Sequence, residues 1–243
     1  HTRFRNVTGV QTCALPICPD GWLPEETFPT LGGIKALAAP AGAPGTLLVW
    51  VKDAADLNRC RWENGRLTYP QPWTQEGKDR KILALDSVGS TTWWAQRVGS
   101  DLDLYVWPAG KAEPARTRFA DLGAKVEQVV WLGGETLLVQ DAYATAGKLV
   151  TLADGKPVVT SPALLAKMDP TEYGVLEVDG SLRKARLTDG VLQWLGDDLH
   201  PIDQVMLTEG QKIGSYLPIA TAPKGRAEAW ALEQGGAFLH RQI

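Results

Sequence analysis

Histidine, cysteine and methionine are scarce in this 243-residue chain, at three, three and two copies, and their scarcity closes off most metal and thiol chemistry. There is no Gly-x-Ser-x-Gly elbow, no Gly-Lys-Ser/Thr phosphate loop and no His-Glu-x-x-His helix. No apolar run approaches the roughly 20 residues that a membrane-crossing helix needs. Few segments keep a helical period, so helix is a minor component. A basic surplus is missing too: 25 Lys and Arg stand against 28 Asp and Glu, a net charge of −3. Such a chain has no excess of cations to neutralise a phosphate backbone, which excludes nucleic acid as the expected partner.

The first residues do not read as protein. Val7-Thr8-Gly9-Val10-Gln11-Thr12-Cys13-Ala14-Leu15-Pro16-Ile17 resembles one reading frame of a short-read library primer. His1-Thr2-Arg3 matches the flow-cell sequence that precedes it, and Phe4-Arg5-Asn6 fills the codons of a sample barcode. Residues 1–18 are therefore read as translated adapter and set aside, with the biological sequence beginning near Pro19. Cys13, Cys18 and His1 leave with them, so Cys60 has no disulfide partner. The 25 basic residues fall to 23 against the same 28 acids. A gene entered midway is expected to have lost its export signal and part of its architecture, so the fold is read as truncated.

What is present is a repeat. Thr46-Leu47-Leu48-Val49 recurs as Thr136-Leu137-Leu138-Val139, and Thr91-Thr92-Trp93-Trp94 lies midway, a spacing of 45 and 45. The glycines Gly65, Gly110 and Gly155 keep the same spacing, and Gly190 follows after 35. Ala36-Leu37-Ala38-Ala39-Pro40 is echoed by Ile219-Ala220-Thr221-Ala222-Pro223. Within each unit, short apolar and β-branched runs alternate with Gly, Asp, Asn and Pro clusters, the pattern of strands joined by turns. Asn64-Gly65 and Asp154-Gly155 suit two-residue hairpins, because the twist of paired strands demands turn residues that accept positive φ. Four strands in about 45 residues is the period of a β-propeller blade. The expected fold is thus all-β, a propeller over 19–243 with blades near 33–72, 80–120, 125–161, 172–200 and 202–243. A sandwich or solenoid is the alternative.

Ser100-Asp101-Leu102-Asp103-Leu104-Tyr105-Val106 resembles the closing segment of FG-GAP or VCBS repeats. That resemblance implies a periplasmic or extracellular setting and calcium in an Asp-rich loop. The loop Asp53-Ala54-Ala55-Asp56-Leu57-Asn58 departs from the pattern in spacing and lacks the glycine, so no metal ligand or other cofactor is assigned. Leu104-Tyr105-Val106-Trp107-Pro108-Ala109-Gly110-Lys111 is similar to blade turns of TolB-like and WD-repeat propellers, without their Trp-Asp dipeptide.

Asp53 and Asp141 follow the repeated Thr-Leu-Leu-Val strand, and Arg97 falls at the corresponding place in the second blade; these three are the candidate ligand- or partner-binding residues. Turn capping is the competing role for the two aspartates. His200, in Asp197-Asp198-Leu199-His200-Pro201, reads as an exposed loop residue, and the ten tryptophans read mainly as packing between blades. With no catalytic residue in view, the expectation is a monomeric, non-catalytic binding or scaffold propeller recognising a protein or glycan through one loop face. The alternative is a propeller accompanying a hydrolase or peptidase domain.

Overall fold

The computed structural model describes residues 33–206, apart from 53, 64–65, 69, 74–78, 168, 179 and 189, together with the backbone of the strands at 213–222, 226–233 and 238–242. Residues 1–18, Asp53 and the Asn64-Gly65 pair lie outside the described residues.

The first sheet comprises β1 (Ile34–Ala38), β2 (Thr46–Val51) and β3 (Asn58–Glu63), with β4 (Arg66–Leu67) and β5 (Gln71–Pro72) both pairing with β3. The second is β6 (Arg80–Val88), β7 (Thr91–Val98), β8 (Asp101–Trp107) and β9 (Ala115–Phe119), and the third is β10 (Val126–Trp131), β11 (Leu137–Asp141), β12 (Gly147–Ala153) and β13 (Lys156–Thr160). The fourth is β14 (Tyr173–Val178), β15 (Ser181–Thr188), β16 (Val191–Leu195) and β17 (Pro201–Met206); β18 (Ile213–Ala222), β19 (Arg226–Glu233) and β20 (Phe238–Gln242) form the last. The sheets are antiparallel meanders. Asp154 and Gly155 take φ of 52° and 72°, which is why Asp-Gly closes the β12–β13 hairpin.

β1 touches β6, β6 touches β10, β10 touches β14, and β14 touches β18. The first strand of each sheet therefore lies innermost and the sheets are arrayed about one axis, the architecture of a β-propeller. β6 also reaches β14, and Val88 and Val175 share one buried cluster with Trp93 and Trp131. At that end of the axis the Ser90 N–H donates to Glu177 Oε2 at 3.3 Å. Gly89 has to be glycine there: its φ is 55°, and a Cβ would stand 1.5 Å from the same Glu177 oxygen.

Two boundaries differ from the sequence reading. Pro201–Met206 is the outer strand of the fourth sheet, paired with β16 from Val191↔Met206 to Leu195↔Pro201, rather than the opening of the fifth unit. Gly190, with φ of 81°, joins β15 to β16 and so closes a second hairpin, whereas Gly110 and Gly155 lie between third and fourth strands. Its shorter spacing reflects a different turn.

Packing between sheets is aromatic. Trp94 stacks on Tyr105 with centroids 4.7 Å apart, and Trp73 meets Trp94 at 5.3 Å and Trp107 at 5.5 Å. Trp93, on the other face of β7, meets Trp131 of the third sheet at 6.0 Å. The buried acid is tightly partnered: Asp103, with its side chain fully buried, accepts from Arg116 Nη2 at 2.7 Å and from Arg118 Nε at 2.8 Å. Burial also pushes the Cys60 thiol up to about 11, because a thiolate would be poorly solvated among its apolar neighbours.

Replacing Trp94 by Ala removes the joint between the first two sheets and is expected to cost about 3–5 kcal/mol in urea unfolding. Asp103→Ala, which strands two half-exposed arginines, should cost about 1–3 kcal/mol. Because the Cys60 thiol stays protonated below about pH 11 in the native fold, a chromogenic disulfide reagent at pH 8 should label it only after denaturant is added to a variant carrying Cys13→Ser and Cys18→Ser; prompt labelling of that variant in its native state would contradict the burial.

Candidate functional site

The apolar run that opens the third sheet is interrupted by Glu127 and Gln128. Register explains their position: Val126 pairs with Asp141 and Gln128 with Gln140, so Glu127 is an extra residue bulged out of β10. Bulges recur near the start of the innermost strands, between Ile34 and Ala36 in β1, Ile82 and Ala84 in β6, and Ile213 and Ser215 in β18. A bulge at a rim redirects a side chain out of the pleat. Here it turns a carboxylate toward the second sheet.

Lys81 donates to Glu127 Oε2 at 2.5 Å, and Arg97 Nη1 lies 3.8 Å from Glu127 Oε1. Asp141, at the end of β11, is bonded by Lys148 at the start of β12. The rim thus brings two carboxylates together with three cations, all partly exposed. Exposed ion pairs contribute only about 0–1 kcal/mol to stability, so their value to the fold is small. Their consequence is chemical, a concentration of charge beside open space.

That space is a cavity of 540 Å³ lined by Glu127, Gln128, Gln140, Asp141 and the loop residues 142–144. Its volume lies within the roughly 300–1,000 Å³ typical of small-molecule sites. The loop is fixed by the Ala142 N–H donating to Lys125 O at 2.8 Å and the Ala144 N–H donating to Asp141 O at 3.1 Å. Between these two bonds Tyr143 takes a φ of 62° and is fully exposed.

Of the residues expected from sequence, Asp141 lines the cavity, Arg97 reaches it through Glu127, and Asp53 lies outside the described residues. Glu127, Lys81, Lys148 and Tyr143 were not anticipated. The only signal for Glu127 in the sequence is an acid within a strand of valines. His200 is exposed, as the loop suggested, and its backbone N–H bonds Asp198 Oδ1 at 3.0 Å. Among the described residues no three His, Cys, Asp or Glu side chains group as metal ligands, and no helix is long and apolar enough to cross a membrane.

No family model matches the chain, and no curated protein does. Solved structures do share its architecture. A protein described as a gluconolactonase is 17% identical, with a TM-score of 0.49, over 92% of this chain and 78% of its own. Virginiamycin B lyase from Staphylococcus aureus is 12% identical, with a TM-score of 0.48, over 93% of this chain and 75% of its own. A dihydro-heme d1 dehydrogenase is 16% identical, with a TM-score of 0.45, over 83% of this chain but 45% of its own. Chemistry is thus named for several proteins of this architecture, which overturns the expectation of a non-catalytic binding or scaffold module. The physical reason the expectation failed is that a propeller gathers single residues from separate strands, so a site need leave no contiguous motif in the sequence.

If Tyr143 and its loop are held as described, Ala142→Pro, which removes the N–H bonded to Lys125 O, should make the loop cleavable by a low dose of chymotrypsin at Tyr143 while leaving the melting temperature within about 2 °C. Resistance equal to that of the parent protein would contradict the loop geometry.

Proposed function

We propose that this propeller is a hydrolase acting on an ester bond of a hydroxyl-rich small molecule, such as a sugar lactone, at the rim cavity of the third sheet. The observation that carries the reading is that Glu127 and Asp141 line one polar cavity, Glu127 paired with Lys81 and Arg97 and Asp141 with Lys148. Two carboxylates alone suit either glycoside or ester cleavage. The cations favour the ester, because its transition state gathers negative charge on the carbonyl oxygen, whereas glycoside cleavage develops positive charge on the sugar.

In this reading Glu127, the more exposed carboxylate, takes a proton from water as the water oxygen bonds to the carbonyl carbon. Collapse of the adduct breaks the carbon–oxygen ester bond, and the proton passes from Glu127 to the departing alkoxide. Water is consumed, and the product is a hydroxy acid. Lys148, held by Asp141 outside the cavity lining, supplies positive charge as the oxyanion develops, and Arg97 orients Glu127. We further infer that residues 1–18 are translated adapter and contribute nothing to activity.

A panel of sugar lactones, aryl esters and aryl glycosides tests the reaction. Lactone or ester turnover is expected, falling about 100-fold or more in kcat for Glu127→Gln and Asp141→Asn with unchanged melting. Turnover confined to glycosides, or indifferent to both substitutions, would sink the proposal. A chain comprising 19–243 alone should match the full sequence in both melting temperature and kcat.

A further inference from the structure

Tyr143 is an anomaly on two counts. A fully exposed aromatic ring gains nothing from burial, and a non-glycine residue at φ 62° sits in the left-handed region that bulky side chains avoid. Glycine or asparagine would hold the same turn at lower cost. Packing does not require this tyrosine, and the backbone disfavours it.

Its surroundings suggest what it does. Among the described residues the tyrosine is the only aromatic lining the cavity; beside it stand two amide side chains, Gln128 and Gln140, and the two carboxylates. A flat ring beside a set of donors and acceptors is complementary to a six-membered sugar ring, which offers a C–H face for stacking and hydroxyls around its edge. Charge narrows the ligand further. Glu127 and Asp141 line the cavity whereas Lys81, Arg97 and Lys148 lie outside its lining, so an anionic sugar ring would meet carboxylate at the wall. We propose that Tyr143 is the stacking platform for an uncharged pyranose ring, held in a strained conformation by the two loop hydrogen bonds so that its face lies over the cavity. This rests on reading the cavity as the site where a sugar-like substrate is processed.

The strain makes a distinctive prediction. Tyr143→Gly should raise the melting temperature, because glycine relieves the positive φ, and at the same time weaken binding. Saturation-transfer NMR with methyl glucoside, galactoside and mannoside, which are inert to ester hydrolysis, provides the readout. At least one pyranoside is expected to bind, with saturation concentrated on ring C–H protons. Tyr143→Phe should retain it, while Tyr143→Ala and Tyr143→Gly weaken its Kd roughly five- to tenfold.

Binding that survives Tyr143→Ala but is lost in Asp141→Asn would overturn the stacking role and leave the cavity reading intact. No binding of any pyranoside by the parent protein, together with no turnover of lactones, would overturn both. Lactone turnover without pyranoside binding overturns the stacking proposal alone, and a lower melting temperature for Tyr143→Gly overturns the claim of strain.

Discussion

The structure depends on one constraint: an inner blade of a propeller has to bury both of its faces. The second sheet shows how this is met. Trp93 and Trp94 are consecutive in β7 and therefore project to opposite faces; one joins the cluster shared with the third sheet and the other joins the cluster shared with the first. Two adjacent tryptophans thereby couple three sheets. The same demand explains why β7 and β11 are buried almost continuously instead of alternating buried and exposed residues, a pattern usually associated with parallel sheets covered on both sides.

Once both faces are consumed by packing, polar chemistry has only the rims to occupy. The buried carboxylate Asp103 is neutralised in place by two arginines whose outer parts remain in water. At the rim the innermost strands start close to one another, and a bulge there can turn a side chain out without breaking the pairing beneath it. Glu127 is placed in this way. The arrangement separates stability, which resides in the aromatic joints, from the charged rim, whose side chains carry little energetic weight in the fold.

This separation governs what could be read from the sequence. The 45-residue spacing of Thr46, Thr91 and Thr136 marks the second strands of three successive sheets, because every blade has to supply the same apolar strand at the same place. Ser181 continues that spacing at the start of β15 but went unnoticed, since the residues after it, Leu182-Arg183-Lys184, carry none of the Leu-Leu-Val signature. Gly190 imitated a landmark because any tight hairpin wants glycine, whichever strands it joins. At the site, Asp141 was legible because it ends a repeated strand. Glu127 was not: a bulge inserts one residue into a period of two, and nothing in a lone sequence separates that from ordinary irregularity.

The function of the fold was obscured by the same physics. Elbows, phosphate loops and zinc helices are readable because one short segment supplies most of the reacting groups. At this rim the groups come from β6, β7, β10, β11 and β12, each contributing one or two side chains whose neighbours in sequence serve the packing. Motif searches therefore return the packing and miss the site. A better guide is residues that the fold has no reason to keep. Tyr143 is such a residue, since a left-handed backbone costs a bulky side chain on the order of 1–2 kcal/mol and no burial offsets it. The Lys81, Arg97 and Lys148 pairs return at most about 1 kcal/mol each. A loop that bears a cost its own contacts do not repay, beside the cavity where those charges gather, is the physical ground for the stacking role proposed for Tyr143.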